Sequence, residues 1–259
     1  MNYFSNSFKY IFQYRFSKQT RGFGVHSPFV FKFINYVLRE KIPFYNFEPI
    51  ESLRTSLLSD KRRVDIVDFG TGNDRTEEVS SIARKSLKSA KYGQLMFRII
   101  CYFKAKNILE LGTSLGVTTA YLAASDKDIK CVSLEGCPNL SEIAQENFRK
   151  LGVQNVEVIT GNINQTLITA LNRFERLDFI FFDANHQSKA ILKYFELCLP
   201  KMHNDTVLIV DDIKWSKDME NAWEIIKNNP RVRSTIDLYQ LGIVFFNADL
   251  NKRHYKMYF

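Results

Sequence analysis

The stretch ELGTSLGVTT (110–119) sets Gly112 and Gly116 between a short apolar run and a helix-like one. Glycines let a backbone approach a ligand closely, and the free N–H groups that open a helix favour an anion. Glu135 ends the next apolar run, 23 residues after Gly112. A carboxylate at that place in a strand–helix–strand unit hydrogen-bonds a ribose diol; a solvated strand-end carboxylate is the plainer alternative. This turn has no three-glycine dinucleotide fingerprint and no Lys-[Ser/Thr] ending of a phosphate loop. A nucleoside without a pyrophosphate fits better, and S-adenosylmethionine is such a ligand. Gly112, Thr113, Ser114 and Gly116 would then approach it and Glu135 would take its ribose.

Polar residues also end the later apolar runs: Gly161-Asn162, Asp183 and Asp211-Asp212. His186 lies one short turn beyond Asp183. An imidazole titrates near neutrality, so His186 could be a general base. A hydrogen-bonding surface histidine is the bland alternative. Asp183, Asp211 and Asp212 together would suit Mg²⁺, which seeks oxygen ligands and can acidify an acceptor hydroxyl. Structural hydrogen bonding is the competing use.

Elements must bring these residues together. From residue 107, short apolar runs alternate with amphipathic helical spacing: NILEL (107–111), KCVSL (130–134), VEVIT (156–160), LDFIFF (177–182) and TVLIV (206–210). Helices are predicted between them, one opened near Pro138 and closed at Gly152, one stopped by Pro200, one near 217–228. VRSTIDLY and GIVFF then read as a hairpin. Doubly apolar strands joined by helices imply a parallel sheet covered on both faces, with its ligands at the carboxyl ends of the strands. The prediction is α/β and Rossmann-like: a mostly parallel seven-stranded sheet with an antiparallel terminal hairpin, behind a helical N-terminal segment.

The residues from Lys91 to Ala123, KYGQLMFRIICYFKAKNILELGTSLGVTTAYLA, resemble the opening of the S-adenosylmethionine-dependent class I O-methyltransferases of the catechol and caffeoyl-CoA type. Gly93-Gln94 is similar to that family's Gly-Gln. Glu110, Gly112 and Gly116 match its first motif. Thr118 stands for a serine that helps hold the cofactor carboxylate, and Glu135 matches the ribose acid. LDFIFFDANHQSKAILKYFELCLP resembles the fourth motif, with Asp183 at its aspartate, and VLIVDDIKW resembles the fifth strand. The similarity spans about residues 88–247. It implies methyl transfer to oxygen on a small-molecule acceptor. The cofactor would be held by Glu110, Gly112, Thr113, Ser114, Gly116, Thr118, Glu135, Asn162 and Asp183. His186 and Asp183 would be catalytic, and Asp183, Asp211 and Asp212 would be metal ligands. Two departures bear on this. Asp212 stands where cation-dependent members usually carry Asn, and His186 stands where they put a Lys base.

Rival readings remain. Gly112-Thr113-Ser114-Leu115-Gly116 also fits the G-x-S-x-G nucleophile elbow of α/β-hydrolases, with Ser114, Asp183 or Asp211, and His254 as a triad. The preceding chain lacks an HGG oxyanion loop. DIVDFGTGND (65–74) imitates a first methyltransferase motif, but no acid-tipped strand follows at the right distance, so a structural hairpin or turn is expected. A nucleic-acid-binding, methyltransferase-like protein is a third class. It is not favoured: the chain has neither a [DN]-P-P-[YFW] tetrapeptide nor a Pro-Cys nucleophile motif.

The formal net charge is +8, from 36 Lys and Arg against 28 Asp and Glu. Residues 1–63 carry 11 basic and 4 acidic side chains, so most of the excess sits at the front. Four scattered cysteines without a CxxC pair suggest reduced thiols and a cytoplasmic protein. No apolar run is long enough to span a membrane. The chain divides on this reading into a helical segment, 1–90, and a cofactor-binding domain, 91–259. Helical spacing recurs at Phe4, Phe8, Ile11 and Phe12 and again after Ser27-Pro28, and a third helix is expected near 48–60. Residues 64–69 suggest a strand ended by Gly70 and Gly72, and 76–104 return to helical spacing. The aromatic front segment must bury against the body, a second copy in a homodimer, or a membrane surface. The expectation is a lid on the acceptor side, with His26 to Phe29 nearest the cavity.

Overall fold

A computed structural model describes Tyr14, residues 17–69 and residues 72–259. The expected helix through Phe4, Phe8 and Phe12, and the expected stop at Gly70, lie outside the described residues. The chain divides into two units, residues 41–179 and residues 1–40 with 180–259.

In the front segment, α1 (Pro28–Phe33) starts as the sequence suggests. The Ser27 hydroxyl accepts from the Val30 N–H at 3.3 Å and Pro28 opens the first turn. The helix runs on into a wider π-helical turn, Ile34–Leu38. The Phe29 and Phe33 rings meet Phe245 edge-on at 5.1 and 5.2 Å, and the Tyr14 hydroxyl donates to Asp237 Oδ1 at 2.8 Å. Phe23 and Phe31 stay exposed.

In the unit 41–179, α2 (Phe47–Leu58) precedes an antiparallel hairpin, β1 (Arg63–Ile66) and β2 (Arg75–Glu78). Residues 75–78 are thus a strand rather than the start of a helix. The helical stretch that follows breaks at Leu87–Ser89 into α3 (Val79–Ser86) and α4 (Ala90–Phe103). Phe44 packs on Phe47 and Phe97, which meet edge-on at 5.0 Å. Such a pair contributes about 0.5–1.5 kcal/mol beyond its buried area.

Next come β3 (Asn107–Leu111), α5 (Val117–Ala123), β4 (Lys130–Glu135), α6 (Pro138–Leu151), β5 (Val156–Thr160) and α7 (Ile163–Leu171). Strands β3, β4 and β5 are parallel neighbours, with Leu111 opposite Leu134 and Glu135 opposite Thr160. Gly93 of α4 explains the Gly-Gln motif locally. A Cβ there would stand 2.5 Å from Tyr121 Cδ2, so only glycine lets α4 and α5 approach.

The chain continues through β6 (Leu177–Phe182), α8 (Ser188–Cys198), β7 (Met202–Val210), α9 (Lys217–Asn228), β8 (Ser234–Asp237), β9 (Gly242–Phe245) and β10 (Arg253–Lys256). The strand order is β10-β8-β9-β7-β6-β3-β4-β5. This is the expected mostly parallel sheet with one more strand than the sequence suggested. β9 runs antiparallel between β7 and β8, and β10 adds in parallel at the edge beyond β8. Only Tyr255 of β10 is buried, so its pattern gave no apolar run to read. No helix among the described residues is long and apolar enough to cross a membrane.

Candidate functional site

The unit 41–179 holds the glycine turn. Gly112, Ser114 and Gly116 all take positive φ, at 103°, 49° and 79°. Three left-handed residues in five fold the loop tightly between β3 and α5. At Gly116 a Cβ would meet Phe148 Cε1 at 2.8 Å and Ala144 Cβ at 3.1 Å. The Gly112 and Thr113 N–H groups both donate to the Leu134 carbonyl, at 2.9 and 3.2 Å.

Behind the loop runs a buried polar chain. Ser133 Oγ donates to Glu110 Oε2 at 2.6 Å, so its bond to Thr113 Oγ1 at 2.5 Å must be one in which Thr113 donates. The Thr119 hydroxyl also donates to Glu110. Glu110 is fully buried, and this carboxylate oxygen is spent tying β3, β4 and α5 together. Asn162 has a local duty too: its side chain caps α7, accepting from the Asn164 N–H at 3.0 Å. Thr118 is almost buried in α5.

Glu135 closes the turn. Ser114 N–H donates to Oε2 at 2.7 Å and Cys137 N–H to Oε1 at 2.9 Å. The residue is 8% exposed. Burial pushes its carboxyl above the ordinary carboxylate range, against the pull of the Cys137, Ser114, Gly136 and Thr113 amides. Of these amides only Ser114 and Cys137 sit at hydrogen-bond distance, one on each oxygen, against about four acceptor sites on a carboxylate. A carboxylate acceptor beside a glycine-lined turn can take the hydroxyls of a nucleoside diol.

The other unit holds Asp183, Asn185, His186, Asp211, Asp212 and Trp215. Asp183 follows β6 and is half-buried. Asn185 takes φ 52°; its Nδ2 reaches the Tyr194 hydroxyl at 3.5 Å, while its Oδ1 is buried with no partner among the described residues. Asp211 follows β7, is buried, and donates its N–H to the Phe182 carbonyl at 2.9 Å. Asp212, at φ 52°, turns its carboxylate toward His186, with Oδ2 at 3.6 Å from Nδ1. The Trp215 ring lies beside His186, centroids 6.3 Å apart, and is 57% exposed. His186, Asp212 and Trp215 thus form one group.

The expected metal set does not form. Among the described residues no group of three or more His, Cys, Asp or Glu side chains is placed to hold a metal ion. Asp183, Asp211 and Asp212 do not converge into a Mg²⁺ ligand set; Asp211 is buried at the end of β7 and Asp212 Oδ2 lies 3.6 Å from His186 Nδ1. The hydrolase triad fails as well. The Ser114 hydroxyl pairs with Ser86 Oγ at 3.1 Å, and His254 Nδ1 shares a hydrogen bond with Thr235 Oγ1 at 2.8 Å.

Sequence reasoning missed Ser86 at the loop and Phe69, whose ring packs on Gly136. Neither carries a pattern signal. The stretch around Phe69 was expected only to be a structural turn.

Strand order and the glycine turn define a class I, Rossmann-like methyltransferase fold. Residues 109–213 match a family described as "Methyltransferase domain". The chain is 31% identical over 136 residues to the O-methyltransferase imqG of Aspergillus flavus, covering 50% of this chain and 54% of that one. It is 28% identical over 127 residues to a catechol O-methyltransferase of Mycobacterium tuberculosis, covering 48% and 56%. The O-methyltransferase from Bacillus cereus in complex with SAH has a TM-score of 0.57 and 22% identity, over 83% of this chain and 96% of that one. The chain spans about half the length of the two sequence relatives, 54% and 56%.

Proposed function

We propose that the chain transfers a methyl group from S-adenosylmethionine to a hydroxyl oxygen of a small molecule. One observation carries the reading: the buried Glu135 carboxylate at the tip of β4, linked to the Ser114 N–H of the glycine turn. When bound, the cofactor supplies a methyl group already activated on a sulfonium. Glu135 would accept from its ribose hydroxyls, and Gly112, Thr113 and Gly116 would let it approach the backbone. Asp183 and Asn185 would offer acceptor oxygens to ligand donors.

The protein must then orient the acceptor and remove its proton. His186 is the base in this reading. Asp212 Oδ2 stands 3.6 Å from Nδ1 and would orient the ring on closer approach, which leaves Nε2 for the acceptor hydroxyl. Trp215 offers a flat apolar wall beside the imidazole. The relatives named as catechol O-methyltransferases make phenolic acceptors the first to try. The described cysteines are free thiols, consistent with a reducing cytoplasm.

The test is turnover with S-adenosylmethionine carrying a ¹³C-methyl group and a panel of catechols, phenols and aliphatic alcohols, with and without a chelator. The reading expects a labelled O-methyl resonance that survives chelation. Label arriving only on nitrogen or sulfur acceptors would contradict it.

A further inference from the structure

Within the unit 41–179, the β1–β2 hairpin bends over the tip of β4. It is fastened to the residues just past Gly136. The Asn139 side-chain amide donates to the Asp65 carbonyl at 2.7 Å, and Val67 N–H points at Cys137 Sγ at 3.5 Å. The turn is braced internally: Gly72 N–H donates to the Asp68 carbonyl at 2.8 Å, Asp68 N–H donates to Asp74 Oδ1 at 2.9 Å, and Arg75 reaches Asp68 at 3.4 Å. These anchors carry Phe69 onto Gly136. A Cβ on Gly136 would stand 3.1 Å from Phe69 Cδ2 and 3.8 Å from Cε2, so the ring meets the glycine by one edge. The ring is 54% exposed.

An exposed aromatic ring held one residue from a ribose-binding carboxylate has a physical use. A base attached to that ribose lies within a few ångströms of Glu135, and π-faces stack on bases of any sequence. Gly136 has no side chain to offer there. We propose that Phe69 is the stacking surface for the adenine of the bound nucleoside, supplied by the β1–β2 hairpin rather than by the βα unit that binds the ribose. This rests on the methyltransferase reading. It makes the hairpin part of the cofactor site.

The test is calorimetric titration of wild type and Phe69→Ala with two ligands, S-adenosylhomocysteine and S-ribosylhomocysteine, which lacks the base. Stacking on one aromatic ring predicts that Phe69→Ala weakens S-adenosylhomocysteine by about tenfold. S-ribosylhomocysteine should bind both proteins alike, and Phe69→Tyr should bind S-adenosylhomocysteine like wild type. Equal weakening of both ligands would overturn the proposal, because Phe69 would then act only by shaping the loop. Unchanged or tighter binding of S-adenosylhomocysteine by Phe69→Ala would also overturn it, the latter marking Phe69 as a plug that the base must displace. In both cases the methyltransferase reading stands. A wild type that binds no S-adenosylhomocysteine would remove both.

Discussion

The Ser114 N–H donates to Glu135 Oε2 at 2.7 Å, tying the loop after β3 to the tip of β4. Ser114 adopts φ 49° to do so. A non-glycine residue in that region costs about 1–2 kcal/mol. A hydrogen bond to a charged group contributes about 1.5–3 kcal/mol, which offsets the strain. The same carboxylate then has a fixed orientation before any ligand arrives.

Two glycines with similar backbone angles separate strain from crowding. Gly116 and Gly152 have φ 79° and 68°, yet a Cβ on Gly116 runs into Phe148 whereas one on Gly152 meets nothing within 4 Å. Gly152→Ala should cost about 1 kcal/mol, from left-handed strain alone. Gly116→Ala should cost about 1–3 kcal/mol more, from overpacking. Urea denaturation of both variants measures the order. Equal losses would mean that the ring at Gly116 yields freely.

The His186–Asp212 pair predicts a graded kinetic loss. His186→Ala should lower kcat by about 10²–10⁴-fold with little change in S-adenosylhomocysteine affinity. Asp212→Asn keeps a hydrogen-bonding group beside Nδ1 and should lose less than His186→Ala. Steady-state kinetics on an identified acceptor decides this. A His186→Ala enzyme with wild-type kcat would take the base assignment away.

Acid should loosen the hairpin that carries Phe69. Hydrogen bonds from Lys85, Ser81 and Arg75 hold the Glu77 carboxyl at about 2, below its ordinary 4.5. A depressed folded pKa means stability present above the unfolded value and lost as pH falls through the folded one. The window is therefore from about 4.5 down to about 2. Lys85 and Arg75 are largely exposed, so screening limits the contribution to about 1 kcal/mol. Glu77→Gln should lower stability at pH 7, and its deficit should shrink toward pH 2. A deficit independent of pH would assign the effect to packing.

Several elements were legible because their physics is local. The runs at 107–111 and 177–182 are largely apolar on both faces, as buried parallel strands must be, while 156–160 forms the half-exposed edge strand β5; all three strands have the limits read from the sequence. Pro138 and Gly152 bracket α6 because proline suits a first turn and glycine a left-handed cap. Glu135 was readable from its distance past Gly112. β2, by contrast, is Arg-Thr-Glu-Glu and exists through pairing with β1 and ion pairs, which periodicity does not register. Phe69 was invisible for the same reason: its place depends on hydrogen bonds to Cys137 and Asn139, some seventy residues on. The metal set looked plausible because three aspartates end neighbouring strands, but spacing does not say where a carboxylate points.

The most direct measurement is calorimetric titration of the wild type and Glu135→Ala with S-adenosylhomocysteine. Loss of a charge-assisted hydrogen bond costs about 1.5–3 kcal/mol. The account predicts one-site binding to the wild type and binding at least about tenfold weaker to Glu135→Ala. No heat of binding to a folded wild type, or equal affinity in the variant, would contradict it.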